Sequence, residues 1–586
     1  MLLLVLPAAL HAQDEEAVLP YAATVTGSGD SALDALLRAT SGLIALQTRA
    51  PTDAEGILSR INAEAERLRP AFESEGYWAG TVAITGPVAL EPAALAAAPR
   101  PLLLEIRPVP GPRYTLRRVE TTGGPDIPLS PGQPARAEAV LEVQSAALEA
   151  LRADARPLAT ITRAVTVDHE ARAMDVAFTS TPGPRADFAS PTVTGTQRVD
   201  PEVVRRVAAV RLAERSFSPE RIARARADVS ALGPFASVRI DQGTALDADG
   251  RLPVSVAVRE RAFRAITASA AFETNYGLSL RGTWEHRNLR GGAENLRVEL
   301  EASRLGNALD RTNARAAIIY RQPLPFRYDG TLVTSLSFVR ERLDSYDRDA
   351  GLFSMLYERR LSDRWVVASG PTGEVGQTGA PGGVLSPYQV AGWTFQARYD
   401  STDSLLDPRR GIRAAATVTP SYAFTQSTVY LPLRVAASTY FDLSGGGRTI
   451  LALRGGFGIL LNAGAASVPR SQRFYAGGGG SVRGYDFQSI GPRDARGKPS
   501  GGASLLEGSL ELRQRFGASF GAVAFIDAGA VGTSAGAPTD ALRVGAGVGF
   551  RYYTPIGPIR ADVAVPLVRQ QGSGSFGLYV GIGHAF

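Results

Sequence analysis

The chain has 586 residues, 44% of them hydrophobic, a formal net charge of +6 and no cysteine. That length exceeds what one hydrophobic core usually holds, so several domains are expected. The missing cysteine excludes disulfide scaffolds, Cys-ligated zinc, iron–sulfur clusters and thiol nucleophiles, and the mild charge, with no dense Lys/Arg run among aromatics, argues against a nucleic-acid partner.

The first residues form an apolar run, Leu2 to Leu10, followed by His11-Ala12-Gln13. This reads as a secretory signal segment over residues 1–12, with export of the remaining chain. The run lacks the usual basic n-region, which points to a start further upstream. No later stretch holds 18 apolar residues, so no α-helical membrane span is predicted. A mean hydropathy of −0.03 leaves a transmembrane β-barrel open, because alternating strands average to soluble-looking values.

Up to about residue 262, helical patterns alternate with short strands in three units of similar plan, at 20–112, 113–184 and 185–262. In the first, a strand near Ala22–Val25 precedes helices over roughly Ser31–Leu43 and Thr52–Phe72, then strands near Thr81–Ile84 and Leu102–Ile106. The second helix places Ile57, Ile61, Ala65, Leu68 and Phe72 on one face and stops at Gly76-Tyr77. The middle unit has a strand at Tyr114–Glu120, helical stretches from Ala135 to Ala153, and strands at Thr160–Val167 and Ala173–Phe178. The third is the clearest. A strand at Thr192–Thr194 leads to Asp200-Pro201, an N-cap and first-turn proline, then to a second helix from Ser218-Pro219 that ends at Gly233-Pro234. Strands at Phe235–Ile240 and Leu252–Arg259 complete a β-α-α-β-β order.

From residue 263 to 586 the period becomes two. Leu506, Leu510 and Leu512 alternate with Glu507, Ser509, Glu511 and Arg513, and Trp393, Phe395, Ala397 and Tyr399 with Thr394, Gln396, Arg398 and Asp400. One such strand fits a soluble sandwich or a membrane barrel equally well. About sixteen segments of spanning length, an even number, favour a closed antiparallel transmembrane barrel. The last segment sets Phe576, Leu578, Val580, Ile582 and Phe586 on one face. Two motifs interrupt the strands. Asp407-Pro408-Arg409-Arg410-Gly411 reads as a hairpin turn, with Gly411 free to take positive φ. Gly477–Gly480 precedes Val482-Arg483-Gly484-Tyr485 inside a long loop, about 462–503.

These features resemble the BamA/TamA outer-membrane assembly superfamily: the α+β units its POTRA domains, the Val482–Tyr485 motif its inward-folded sixth loop, and the Asp-Pro-x-x-Gly turn a family hairpin. The resemblance implies that Arg483 meets acidic residues on the barrel strands, here Glu511 and Asp527. A guanidinium in a partly dry lumen requires such partners. Three POTRA units are most like TamA; BamA usually carries five and two-partner secretion translocators two. The implied function is insertion or translocation of outer-membrane clients, including autotransporters, through a lateral seam between the first and last strands, with Ile266, Phe272, Leu578, Val580, Ile582 and Phe586 along it. The implied partners are unfolded β-barrel clients, the lipid bilayer with its outer-membrane lipids, and a TamB-like protein that spans the periplasm from the inner membrane. The alternatives are a two-partner translocator that exports its substrate through the lumen, and a passive porin.

No chemistry is expected: the chain reads as a non-enzyme without cofactor. The histidines His11, His169, His286 and His584 show no i, i+4 pairing, so no metal site is predicted. No G-x-S-x-G elbow stands out, and Gly572, Gly574 and Gly577 fit G-x-G-x-x-G without the strand-to-helix step that motif needs.

Overall fold

The computed structural model describes residues 18–586, apart from 49–51, 275, 307–310, 326–329, 537, 539–541, 556 and 570–573. The signal segment at 1–12 lies outside the described residues, as do Gly572 and the turn around it. Contacts divide the chain into two compact units. One comprises residues up to Ser190 with Leu212–Ala223 and Gln242–Val254. The other comprises Pro191–Arg211, Arg224–Asp241 and Ser255–Phe586.

The first domain runs β1 (Tyr21–Val25), α1 (Ser31–Thr40), α2 (Gly42–Leu46), α3 (Ala54–Ser74), β2 (Thr81–Thr85), α4 (Pro92–Ala96) and β3 (Leu102–Val109). Its core joins Leu33, Leu37, Ile57, Leu68 and Phe72 to Leu102, Leu104 and Ile106 of the sheet. The expected single helix over Ser31–Leu43 is in fact two. Ser41 breaks it, its Oγ accepting from Ile44 N at 3.2 Å and donating to the buried Glu64 at 2.5 Å. Glu64 also accepts from the Gly42 and Leu43 amides at 3.1 and 3.3 Å, so a carboxylate from α3 caps α2.

The second domain comprises β4 (Thr115–Thr122), α5 (Ala137–Ala153), β5 (Thr160–Asp168) and β6 (Ala173–Thr181). Only one helix is present among its described residues. Pro125, Pro128, Pro131 and Pro134 occupy the segment where the first would lie, and each removes a backbone donor. The third comprises β7 (Thr192–Thr194), α6 (Pro201–Leu212), α7 (Pro219–Ala231), β8 (Phe235–Gln242) and β9 (Val254–Glu260), the β-α-α-β-β order of the sequence reading. The three sheets share one topology: β1-β3-β2, β4-β6-β5 and β7-β9-β8.

The remaining strands are β10 (Arg264–Glu273), β11 (Gly277–His286), β12 (Asn295–Leu305), β13 (Asn313–Pro323), β14 (Thr331–Arg342), β15 (Asp347–Arg360), β16 (Trp365–Gly379), β17 (Ser386–Asp400), β18 (Gly411–Val418), β19 (Ser421–Ala423), β20 (Thr428–Asp442), β21 (Thr449–Leu461), β22 (Ser504–Phe516), β23 (Phe520–Gly532), β24 (Arg543–Thr554), β25 (Gly557–Pro566) and β26 (Gly577–Ile582). They close into an antiparallel barrel. Both β18 and β19 lie between β17 and β20, so they are one strand interrupted at Thr419-Pro420, and the barrel has 16 strands.

Burial shows which solvent this barrel faces. Leu510 and Leu512 are 43% and 45% exposed, whereas Glu511 between them is 0% exposed. Leu300, Phe338, Phe395 and Val548 are likewise exposed around the wall, while Arg513, Asp527, Arg551 and Asp562 are buried inside. An apolar outside and a charged inside invert the soluble pattern and define a wall immersed in lipid. Within the same unit the third domain docks on the barrel's first hairpin. Asn288 Nδ2 donates to Arg198 O at 3.0 Å, Asp200 N to Gly291 O at 2.8 Å, and the Arg198 guanidinium lies 4.2 Å over Phe263. Glu260 Oε1 organises this turn by accepting the amides of Gln197, Arg198 and Val199 at 2.8–2.9 Å.

Candidate functional site

The segment between β21 and β22, residues 462–503, folds into the lumen. Its buried side chains Val468, Phe474, Ala476, Val482, Tyr485 and Ile490 pack against Tyr388, Tyr430, Leu460, Leu505 and Val531 of the wall. Arg483 is 2% exposed. Its Nε and Nη2 form a fork on Asp527 of β23 at 2.6 and 2.9 Å, and its backbone N–H reaches Asp527 Oδ2 at 3.1 Å. Its Nη1 lies 2.7 Å from Glu511 of β22 and 3.3 Å from Asp562 of β25. The guanidinium carbon stands 3.4 Å from the Phe525 ring centroid. A planar, permanently charged fork can serve several carboxylates at once in this way, and a lysine could not.

Each neighbour of Arg483 in the motif has its own task. Val482 is fully buried, packed over Gly529 of β23. Gly484 has φ +94°, and a Cβ there would stand 2.8 Å from the Val565 carbonyl carbon, so conformation and space both require glycine. Its N–H donates to Tyr579 Oη of β26 at 2.9 Å. Tyr485 Oη lies 2.6 Å from Val568 O and 3.1 Å from Val544 O.

The sequence reading named Arg483, Glu511 and Asp527, and the structure brings those three together. It missed Asp562, Ser509, Phe525 and Arg551. Ser509 Oγ hydrogen-bonds Asp527, and Arg551 pairs with Asp562. Arg513 holds the second oxygen of Glu511 at 2.9 Å. The signal for Asp562 and Arg551 was present: both lie in period-two strands on the parity opposite to exposed Val563 and Phe550.

Among the described residues the first and last strands meet over two ladder positions, Phe272 opposite Val580 and Glu273 opposite Tyr579. Thr274 adds a bond from its N to Leu578 O at 3.0 Å. Every other pair of neighbouring full strands shares six or more positions, β25 and β26 with six being the shortest. Among the described residues the seam is therefore the shortest ladder in the wall. Phe272, Leu578 and Val580 lie at it; Ile582 faces outward at the end of β26. Ile266 does not lie opposite the last strand, because β26 ends at Ile582 and the Arg264–Ala271 part of β10 has no partner on that side among the described residues. Ile266 is accordingly 80% exposed.

Phe586 also departs from the outward face expected for it. Beyond Ile582 the chain turns into the lumen, with Gly583 N on Pro558 O at 2.7 Å. The Phe586 ring stacks near Tyr440 and lies under the Arg513 guanidinium, which donates to Phe586 O at 3.1 Å. His584 is buried and meets Asp407 Oδ1 at 3.1 Å. The Asp407-Pro408-Arg409-Arg410-Gly411 turn thus does more than reverse the chain between β17 and β18: its aspartate fastens the tail of the last strand. Gly411 has φ +101°, and a Cβ there would stand 2.4 Å from Ser401 O.

Together these features define an outer-membrane β-barrel with POTRA-like periplasmic domains, a loop locked by charge into its lumen and a short-paired seam. Residues 288–586, half of the chain, match the Omp85 superfamily domain, and the chain belongs to that superfamily. Over 133 residues it is 33% identical to the outer membrane protein assembly factor BamA of Nitratidesulfovibrio vulgaris, covering 21% of this chain. The match spans 17% of that relative's length. The structure is similar to BamA from Haemophilus ducreyi lacking POTRA domains 1–3, with TM-score 0.61 and 17% identity over 80% of this chain and 100% of that one. It is also similar to CdiB from Acinetobacter baumannii, with TM-score 0.51 and 12% identity over 81% of this chain and 90% of that one. At such identities the two likenesses are of fold.

Proposed function

We propose that this protein is a TamA-like factor that inserts or translocates outer-membrane clients, autotransporters and other β-barrels among them, through the seam between β10 and β26, without covalent chemistry. The observation that carries this reading is the unpaired backbone edge of β10. A closed barrel removes sheet edges; this one leaves Arg264–Ala271 without a partner on the β26 side among the described residues, offering amide and carbonyl groups to an incoming strand. The likeness to a BamA assembly factor supports the same reading. The TamA-like assignment takes the three described POTRA-like domains as its basis, with a TamB-like, inner-membrane-anchored protein docking on their sheet edges.

The natural absence of cysteine makes the test clean. A disulfide between Phe272→Cys and Val580→Cys, opposite each other on the outer wall, should abolish client assembly in reconstituted vesicles and spare ion conduction through the lumen. Normal assembly with the seam locked overturns the reading. Export through the lumen is a second reading, favoured by the fold likeness to CdiB; it predicts that the locked barrel still secretes. Photo-crosslinking from the first domain's sheet edge separates the partners: an inner-membrane-anchored β-rich protein supports the TamA-like reading, a single secreted protein the translocator.

A further inference from the structure

The rung that closes the barrel is also where the lumenal loop touches both of its end strands. Glu273 and Tyr579 stand opposite each other in the seam ladder. Glu273 Oε2 accepts the N–H of Gly479 at 3.3 Å, from the loop's glycine run. Tyr579 Oη accepts the N–H of Gly484 at 2.9 Å, from the arginine motif just after that run. Gly479 touches both strands itself: a Cβ there would lie 2.7 Å from the Tyr579 ring and 3.3 Å from the Glu273 carboxylate. Beyond the end of β10, the Tyr276 ring packs on loop residue Phe487 at 4.7 Å. The second carboxylate oxygen of Glu273 is buried and finds no hydrogen-bond partner among the described residues. A buried, half-satisfied carboxylate is costly unless its position serves something.

We infer that Glu273 and Tyr579 are positioning residues that make the lumenal loop a clasp across the seam, so that β10 and β26 separate only when the loop releases one of them. The inference rests on the seam reading under the proposed function. Two ladder positions and the Thr274–Leu578 hydrogen bonds hold the two ends directly. Two further hydrogen bonds tie them through the loop, and Arg483 anchors that loop to β22, β23 and β25. Loop release and seam opening therefore become one event.

The test uses the full chain in lipid vesicles without client, with the Phe272→Cys/Val580→Cys pair as reporter of seam closure and amide exchange over 477–485 as reporter of the loop. Barrels that are folded are selected by their heat-modifiable migration. Glu273→Leu removes a charge-assisted acceptor, and the open-to-closed ratio of the seam should rise about tenfold, together with faster exchange of the loop amides. Glu273→Gln keeps an acceptor and should restore most of both readouts. If Glu273→Leu does not fold, Tyr579→Phe carries the same expectation, since it deletes only the hydroxyl and keeps the ring under Gly479. Loop release with an unchanged seam, an opened seam with an unchanged loop, or no change in either overturns the clasp. A coupled response in a protein whose locked seam still assembles clients retains the clasp and removes the insertion function.

Discussion

Arg483→Ala deletes the cation on which three lumenal carboxylates converge. The loss is smaller than three orphaned charges, because Glu511 keeps Arg513 at 2.9 Å and Asp562 keeps Arg551. Asp527 is left without a cation. It retains the Ser509 hydroxyl and the backbone N–H of residue 483, both of which survive the substitution. Breaking one partner from a buried pair costs about 3–5 kcal/mol, and two remaining donors on Asp527 place this case near the lower end, about 3 kcal/mol. That corresponds to about a hundredfold rise in the population with the loop out of the lumen. Amide exchange across residues 477–485, measured on the purified barrel in bilayers, should accelerate by that factor while exchange in the strands far from the loop stays unchanged. Arg483→Lys should fall between the two, since an ammonium can satisfy Asp527 or Glu511 but not both with the observed fork geometry. Unchanged exchange in Arg483→Ala, with unchanged heat resistance, would refute the idea that charge pairing holds the loop.

The contact between His584 and Asp407 carries a pH dependence. Burial first, then the neighbouring positive charge of Arg513, push His584 down to about 4, against the hydrogen bond to Asp407. A base depressed in the folded state contributes stability that is intact above its unfolded value near 6.5 and lost as pH falls toward 4. Heat-modifiable migration should therefore weaken across that window, and His584→Gln should flatten the response. Glu260 is held below the usual carboxylate range because three backbone amides outweigh its desolvation. Its contribution is present above the unfolded value and lost as pH falls through the lowered one, so amide exchange at Gln197–Val199 should rise in acid. Glu260→Ala should reproduce that rise at neutral pH by about tenfold. Glu64→Ala removes the cap of α2 and leaves the Ser41 hydroxyl and two amides without their acceptor; it should destabilise the first domain by about 2–3 kcal/mol in denaturant titration without altering barrel migration.

The barrel was legible in the sequence because strand parity maps directly onto face. Leu510, Glu511 and Leu512 alternate in sequence and alternate between lipid and lumen in space. The partners of Arg483 were legible only in part. Glu511 and Asp527 were found through the resemblance, whereas Asp562 and Arg551 required knowing that β24 and β25 come round to the same wall. What stayed hidden was set by contacts distant in sequence. The local signal for the break, Ser41-Gly42 with Ser41 capping Ile44, is short, and the carboxylate that completes the cap arrives from distant Glu64. The periodicity that placed Phe586 beside Ile582 is real, yet Arg513 and Tyr440 draw that ring inside. Ile266 illustrates the same limit: its parity is outward, but whether it faces a partner strand depends on where β26 stops.

The distribution of charge within the wall explains how one seam can be weak in a barrel that is otherwise stiff. The carboxylates that fix Arg483 all lie on β22, β23 and β25, the strands leading up to β26. That side of the barrel is bound to the loop through a network of buried ion pairs. Across the seam, the loop's hydrogen bond to β10 among the described residues is a single amide on Glu273. An ion-pair network is costly to disrupt, whereas one loop hydrogen bond, two ladder positions and the Thr274–Leu578 pair break for a few kcal/mol. If the barrel opens at the seam as proposed, the charge network holds the loop to the β22–β26 side and β10 is the strand that leaves. A client strand entering there would meet first the part of β10, Arg264–Ala271, that has no partner on the β26 side among the described residues. Labels on β10 and on β23 should therefore separate during client engagement while the distance from Arg483 to β23 stays fixed; movement of the loop with β10 would show that the charge network does not decide which side moves.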